Sequence, residues 1–246
     1  MKKPATYLGM EEKRLHPIFA FIICILIIVL LPSNPIEKTI SLSRYKILKD
    51  KVIVIDPGHG GIDGGTNFEG ILEKNINLEI GMILKEKLIK RGATVIMTRE
   101  VDESLDNDVN SRNRHSEDLK NRVKIIDDNG ADIFVSIHVN YIKNPNKLGP
   151  IVFYYEGSQK GKELAEKIQT NLNNLSAYKN MDISINYSPA TGNYYILRNT
   201  LSPGVIIETG FISNELDRKL LLDKGHQDEI AERISKGIIE FFYSHF

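Results

Sequence analysis

Residues 51–65 of the chain read KVIVIDPGHGGIDGG, and this stretch decides the fold. Its first part, Val52 to Ile55, is an apolar, β-branched run. Such a run is typical of a strand in a sheet that is covered on both faces. A glycine-rich turn follows and carries His59, at the place where open α/β sheets bind their ligands. Taken alone, the turn fits a flexible loop with a surface histidine equally well.

Two later apolar runs also lead into a polar side chain, which is His138 in one case and Glu208 in the other. Because parallel strands bring their carboxyl ends to one edge of a sheet, we expect His59, His138 and Glu208 to lie close together. Glu73 opens the first helical segment after the glycine loop. Two histidines and one carboxylate make a zinc site with a coordination position left for water. A further glutamate nearby can then serve as a general base.

Four motifs occur in the order VIDPGHGG, EKN, SIHVN and IETGFISN. Together they resemble the zinc-dependent N-acetylmuramoyl-L-alanine amidases of bacterial cell walls, over about residues 50–246. The resemblance implies a twisted sheet surrounded by helices, and it matches His59, Glu73 and His138 to the three ligands of Zn²⁺. Glu69, four residues before Glu73, is the competing carboxylate, but the EKN motif belongs to Glu73.

Glu208 matches the catalytic glutamate of these amidases. The implied reaction is hydrolysis of the amide between the lactyl group of muramic acid and L-alanine in peptidoglycan. Zinc would polarise the carbonyl and hold the water, while Glu208 takes the proton of the water and passes it to the leaving amine. Two other functions are a zinc peptidase that cuts the stem peptide and a non-catalytic wall-binding domain. The latter predicts the loss of at least one of the four groups, and all four are present.

Residues 111–123, SRNRHSEDLKNRV, and the short head before the domain are most similar to the germination-specific amidases of spore formers. This narrower resemblance implies release of stem peptides from the spore cortex. A separate muramic acid deacetylase would then allow muramic-δ-lactam to form. Some relatives act with an accessory lipoprotein, which is therefore a candidate partner. A vegetative amidase in wall turnover is the alternative.

The first 49 residues predict a membrane anchor or a secretory signal, followed by a linker. Residues 18–31 are an uninterrupted apolar run with basic residues before it, which is typical of such segments. The run is short for a membrane span, yet no small-x-small cleavage site follows, so retention and cleavage both stay open. Either interpretation exports residues 50–246, predicted to be one catalytic domain, out of the cytoplasm and, in a spore, between its two membranes. A buried core helix is the alternative.

The composition argues against other classes of site. Lys and Arg number 32, as do Asp and Glu, and no basic stripe indicates nucleic acid. The single cysteine, Cys24, lies in the apolar run, so the domain has no thiol for a disulfide, a metal or nucleophilic attack. We interpret Arg99 and Arg122 as partners in structural ion pairs, and the remaining histidines as solvated. These histidines are His16, His115, His226 and His245.

Strand-like and helix-like segments alternate along the domain, which predicts an α/β fold with a mainly parallel sheet of about six strands. The segment 176–193 is predicted to be irregular and to rim a substrate groove. The predicted strands are 52–55, 93–98, 133–138, 150–155, 194–198 and 204–208. The predicted helices are 73–91, 116–129 with a cap at Ser116, 157–175, 214–222 with a cap at Asn214, and 227–243.

Overall fold

A mainly parallel β-sheet lies at the centre of the computed structural model, which describes residues 46–106 and 113–244. Helices pack against the sheet, and the predicted α/β class is confirmed. The strands in these residues are β1 (Val52–Pro57), β2 (Asn67–Phe68), β3 (Ile71–Leu72), β4 (Thr94–Met97), β5 (Ile133–Asn140), β6 (Ile151–Tyr154), β7 (Ala190–Thr191) and β8 (Gly204–Phe211). The helices are α1 (Glu73–Lys90), α2 (Arg114–Asp128), α3 (Gln159–Leu172), α4 (Ser176–Lys179), α5 (Tyr195–Asn199), α6 (Glu215–Leu221) and α7 (Lys224–Tyr243).

The six strands of the sheet follow the order β4-β1-β5-β8-β6-β7. The pairs β4–β1, β1–β5 and β5–β8 are parallel, whereas β6 runs antiparallel to β8 and parallel to β7. Strands β2 and β3 form a separate hairpin just before α1. The carboxyl ends of β1, β5 and β8 therefore lie side by side at one edge of the sheet, as the sequence predicted.

Both faces of the sheet are covered, and β1 shows why its sequence is apolar throughout. Ile53 and Ile55 pack in one hydrophobic cluster with side chains of α1, α3 and α7. Val54 points to the opposite face and packs in a second cluster with side chains of α2 and α5. All three side chains are fully buried. Because successive side chains in a strand alternate between faces, a strand covered on both sides needs apolar residues at every position.

Residues 194–198 do not form the strand that the sequence pattern predicted. Residues 195–198 lie in α5, which buries Ile196 and Leu197 and leaves Arg198 exposed, and the exposed Tyr194 precedes the helix. Two adjacent apolar residues fit one turn of helix as well as a strand, and packing against the sheet decides between them. The sixth strand is instead β7, which lies inside the segment predicted to be irregular, and α4 lies there too.

The five predicted helices are present, with small shifts at their ends. Helix α2 begins at Arg114 after Asn113, so Ser116 lies inside the helix and does not cap it. The side chain of Asn214 accepts a hydrogen bond from the first turn of α6, which confirms the predicted cap. Helix α7 begins three residues before the predicted start, because Asp223 caps it in the same way.

Among the residues that the structure describes, no helix has the length and apolar character to cross a membrane. The predicted anchor or signal at residues 18–31 lies outside these residues, as do His16, Cys24 and His245. The division into a head of residues 1–49 and a catalytic domain of residues 50–246 therefore stays a prediction.

Candidate active site

The glycine-rich loop after β1 brings two histidines together. Its residue His59 has a φ of 63°, and Gly60 has a φ of 141°, so the backbone turns sharply here. A Cβ atom on Gly58 would lie 2.2 Å from Cε1 of His138, which means that only glycine lets the loop pass beside this ring. As a result, the ring centroids of His59 and His138 are 5.0 Å apart.

The structure brings together the three residues predicted to bind metal. One ligand atom from each of His59, Glu73 and His138 lies within 4.8 Å of the others. Oε1 of Glu73 is 3.3 Å from Nε2 of His59 and 2.9 Å from Nδ1 of His138. Two imidazoles and one carboxylate fit the donor set of a catalytic zinc site. The competing carboxylate of Glu69 lies in the exposed turn between β2 and β3.

Glu73, the first residue of α1, is surrounded by hydrogen-bond donors. Its Oε1 accepts from the N–H of Val139 at 3.0 Å and from Nδ2 of Asn77 at 3.3 Å. Its Oε2 accepts from the N–H and the hydroxyl of Thr66, at 2.8 and 3.0 Å. Burial raises the pKa of Glu73, but its hydrogen bonds and the charges of the two histidines outweigh burial and hold the pKa well below its usual range. The carboxylate is therefore a fixed anion.

Asp63 is a hydrogen-bond partner of His59 that sequence reasoning missed. Its Oδ2 lies 2.8 Å from Nδ1 of His59, and its Oδ1 accepts from the N–H of Gly65 at 3.0 Å. Burial lowers the pKa of His59, but the hydrogen bonds with Asp63 and Glu73 raise it to about 10. A carboxylate on the far nitrogen fixes the ring orientation of a metal-binding histidine. A carboxylate four residues after the histidine, in the same loop, is the signal that could have identified Asp63.

Glu208 lies in β8 directly opposite His138 in β5. Its Oε2 is buried and has no hydrogen-bond partner among the described residues. Burial raises the pKa of Glu208 to about 7, with the charge of His138 acting against this rise and the charge of Glu73 adding to it. A carboxyl group with a pKa near neutrality can both accept and donate a proton.

Arg122 and Arg99 hold the backbone of the glycine-rich loop. Arg122 forms the predicted ion pairs, with Nη1 2.5 Å from Asp56 and Nε 2.6 Å from Asp118. Its Nη2 also donates to the carbonyl of His59 at 2.8 Å. Among the described residues, Arg99 forms hydrogen bonds to backbone carbonyls instead of the predicted ion pair. These carbonyls belong to Pro57, Gly58, Lys74 and Val101.

Two of the remaining histidines lie within the described residues, and they differ. The side chain of His115 is exposed, as predicted, and its Nδ1 lies 3.8 Å from Oδ2 of Asp63. His226 is buried, so its interpretation as solvated is wrong. Its ring packs edge-on against Tyr178, and neither of its nitrogens has a hydrogen-bond partner in the described part of the chain. Burial lowers the pKa of His226, which favours its neutral form.

Comparison with known proteins identifies the family. The family model for N-acetylmuramoyl-L-alanine amidase matches residues 53–240. The chain belongs to this amidase family. The amidase is 36% identical to the germination-specific N-acetylmuramoyl-L-alanine amidase of Bacillus subtilis, over 79% of this chain and 81% of that relative. It is 33% identical to the probable cell wall amidase LytH of Staphylococcus saprophyticus, over 80% of this chain and 60% of that relative.

A solved structure supports the same assignment. The amidase is similar to the CwlD amidase from Clostridioides difficile, whose structure is a complex with the GerS lipoprotein. The TM-score is 0.73 at 38% sequence identity, and the match covers 79% of this chain and 100% of the other. The predicted activity is therefore confirmed: the enzyme hydrolyses the amide bond between N-acetylmuramic acid and L-alanine of peptidoglycan. The predicted similarity to the germination-specific amidases is confirmed as well.

Proposed function

We propose that the amidase is a zinc enzyme in which His59, Glu73 and His138 hold one Zn²⁺. The observation that carries this proposal is the meeting of one ligand atom from each residue within 4.8 Å. The three residues come from a loop, a helix and a strand, so the donor set is assembled by the fold. When bound, the ion supplies Lewis-acid polarisation of the scissile carbonyl and lowers the pKa of a water molecule.

In this proposal Glu208 is the general base and then the general acid. It accepts a proton from the attacking water as the new C–O bond forms at the lactyl carbonyl. It then donates that proton to the nitrogen of L-alanine as the amide C–N bond breaks. The pKa of Glu208, about 7, suits both steps. The products are a lactyl carboxylate and a stem peptide with a free alanine amino group.

Zinc content tests the metal assignment. Replacing His138 by Ala should abolish stoichiometric zinc in the purified protein, as measured by mass spectrometry of the metal. The exposed His115 is the matched control, and His115→Ala should retain zinc. A His138→Ala protein that binds zinc with unchanged affinity would overturn the assignment. Chelation should also lower the melting temperature of the wild-type protein, because metal bound to the native state stabilises it.

The proposed physiological role is the removal of stem peptides from spore cortex, before a deacetylase allows muramic-δ-lactam to form. The similarity to the germination-specific amidase supports this role. Spores that lack the chain should have cortex without the lactam, which muropeptide analysis measures. Unchanged lactam content would instead favour a vegetative cell-wall amidase, the alternative supported by the similarity to LytH.

We place the enzyme outside the cytoplasmic membrane, with residues 18–31 as a retained anchor or a cleaved signal. A reporter enzyme active only outside the cytoplasm, fused after residue 49, should be active. An expressed but silent reporter would contradict this topology.

The solved CwlD structure contains a lipoprotein, which makes an accessory lipoprotein a candidate partner of this chain too. Activity and zinc content measured with and without such a protein test the partnership.

A further inference from the structure

Two cavities meet at the cluster of His59, Glu73 and His138. The Ile62 cavity has a volume of about 580 Å³, and its lining includes Glu73, Ile62, Ser104 and Arg114. The Tyr194 cavity has a volume of about 430 Å³, and its lining includes His138, Asn193, Tyr194 and Tyr195. Both cavities include His59, Asp63, His115 and Asp118 in their lining.

The substrate of the amidase has two arms of different chemistry. The acyl side of the scissile amide carries the muramoyl glycan, and the amine side carries the stem peptide. When the amide lies at the cluster, each of the two cavities offers a path for one arm. The arrangement of the proton donor relative to the cavities indicates which arm takes which path.

The side chain of Glu208 points to the face of the sheet on which the Tyr194 cavity lies. Side chains two residues apart in a strand point to the same face, and Ile206, two residues before Glu208, lines this cavity. His138, which pairs with Glu208 across the two strands, lines it as well. The electrostatics agree, because burial and then the Glu208 carboxylate raise the pKa of the Tyr194 hydroxyl.

The leaving nitrogen has to lie beside the group that protonates it. We propose that the stem peptide occupies the Tyr194 cavity, where Tyr194 contacts it, and that the glycan leaves along the Ile62 cavity. This inference rests on the role of Glu208 as proton donor in the proposed function. It assigns Tyr194 as a residue that determines specificity for the peptide arm.

The setting of Tyr194 suits this role. The ring packs edge-on against Phe153, with centroids 5.6 Å apart, and 39% of the residue is exposed. The contact fixes the ring and leaves part of it open to the cavity. A tyrosine held in this way offers rigid apolar contact area and a hydroxyl at a small cost in conformational entropy.

A substrate series that changes one arm at a time tests the assignment. The probes are N-acetylmuramoyl-dipeptide, N-acetylmuramoyl-tetrapeptide, and the same dipeptide on a glycan tetrasaccharide. The peptide ratio is kcat/KM for the tetrapeptide over the dipeptide, and the glycan ratio is kcat/KM for the tetrasaccharide over the monosaccharide. Tyr194→Ala should lower the peptide ratio by about tenfold, the scale of one lost aromatic contact, and leave the glycan ratio unchanged. Ile62→Ala should lower the glycan ratio and leave the peptide ratio unchanged.

Tyr243→Ala is the matched control, since it removes an exposed tyrosine from the last residue of α7, and both ratios should be unchanged. The inference is overturned if Tyr194→Ala lowers the glycan ratio, changes both ratios equally or changes neither. A wild-type enzyme indifferent to peptide length would overturn it as well. Each ratio compares substrates on one variant, so a general loss of activity cancels. Failure of the proposed function would appear separately, in zinc content and in the activity of Glu208→Gln.

Discussion

Two glutamates at the carboxyl edge of the sheet, Glu73 and Glu208, are held in opposite electrostatic states. Around Glu73, the loop, the start of α1 and β5 supply hydrogen bonds to both carboxylate oxygens, and the pKa lies well below its usual range. Around Glu208, the buried Oε2 has no partner among the described residues, and the pKa is about 7. The neighbouring donors, and not the residue type, separate the proposed metal ligand Glu73 from the proposed proton-transfer group Glu208.

The largest expected effect separates the two glutamates by function. Glu208→Gln should keep the fold and the zinc but lose activity by at least about 10²-fold, because an amide cannot act as the general base. Glu73→Gln should lose activity together with zinc, because it removes an anionic ligand. Zinc content and muropeptide hydrolysis, measured on both variants, check this. Near-normal turnover by Glu208→Gln would show that another residue is the general base, and the proposed difference in role between Glu73 and Glu208 would then be wrong.

The second prediction concerns stability against pH in the zinc-free protein. The folded pKa of Glu208 is about 7, above its ordinary value of 4.5, so its contribution to stability is present below pH 4.5 and is lost as the pH rises through 7. Glu208→Gln removes this loss of stability, because the amide does not ionise. Between pH 4.5 and pH 8, the free energy of unfolding of the variant should rise relative to that of the wild type by up to about 3 kcal/mol. Urea unfolding of both chelated proteins at the two pH values measures the difference, and a constant difference would contradict the buried, unpaired state of Glu208.

The smallest expected effect tests how Asp63 supports the proposed zinc ligand His59. Asp63→Asn should lower zinc affinity by about 10- to 100-fold, because the partner that orients the His59 ring loses its charge. Competition with a chelator measures the affinity. Asp228→Asn, which removes a surface ion pair with Lys87, is the matched control and should leave zinc affinity unchanged. Unchanged affinity in Asp63→Asn would show that the ring is held by packing alone.

The sequence by itself determined the α/β class and most of the elements, and it predicted that His59, His138 and Glu208 lie close together. These predictions worked because they rest on local signals. The alternation of side chains makes a strand covered on both faces apolar throughout, and glycines mark a loop that has to pass beside a bulky ring. Parallel strands then place His59, His138 and Glu208 at one edge without further information.

The tertiary structure alone decided which groups are paired and which are buried without a partner. Asp63 as the partner of His59, the burial of His226 and the helical form of residues 195–199 all depend on what packs against each segment. The same holds for the two cavities, whose linings come from segments far apart in the chain. Hydrogen bonding and desolvation act over a few ångströms in space, and the distance between two residues along the sequence does not report that separation.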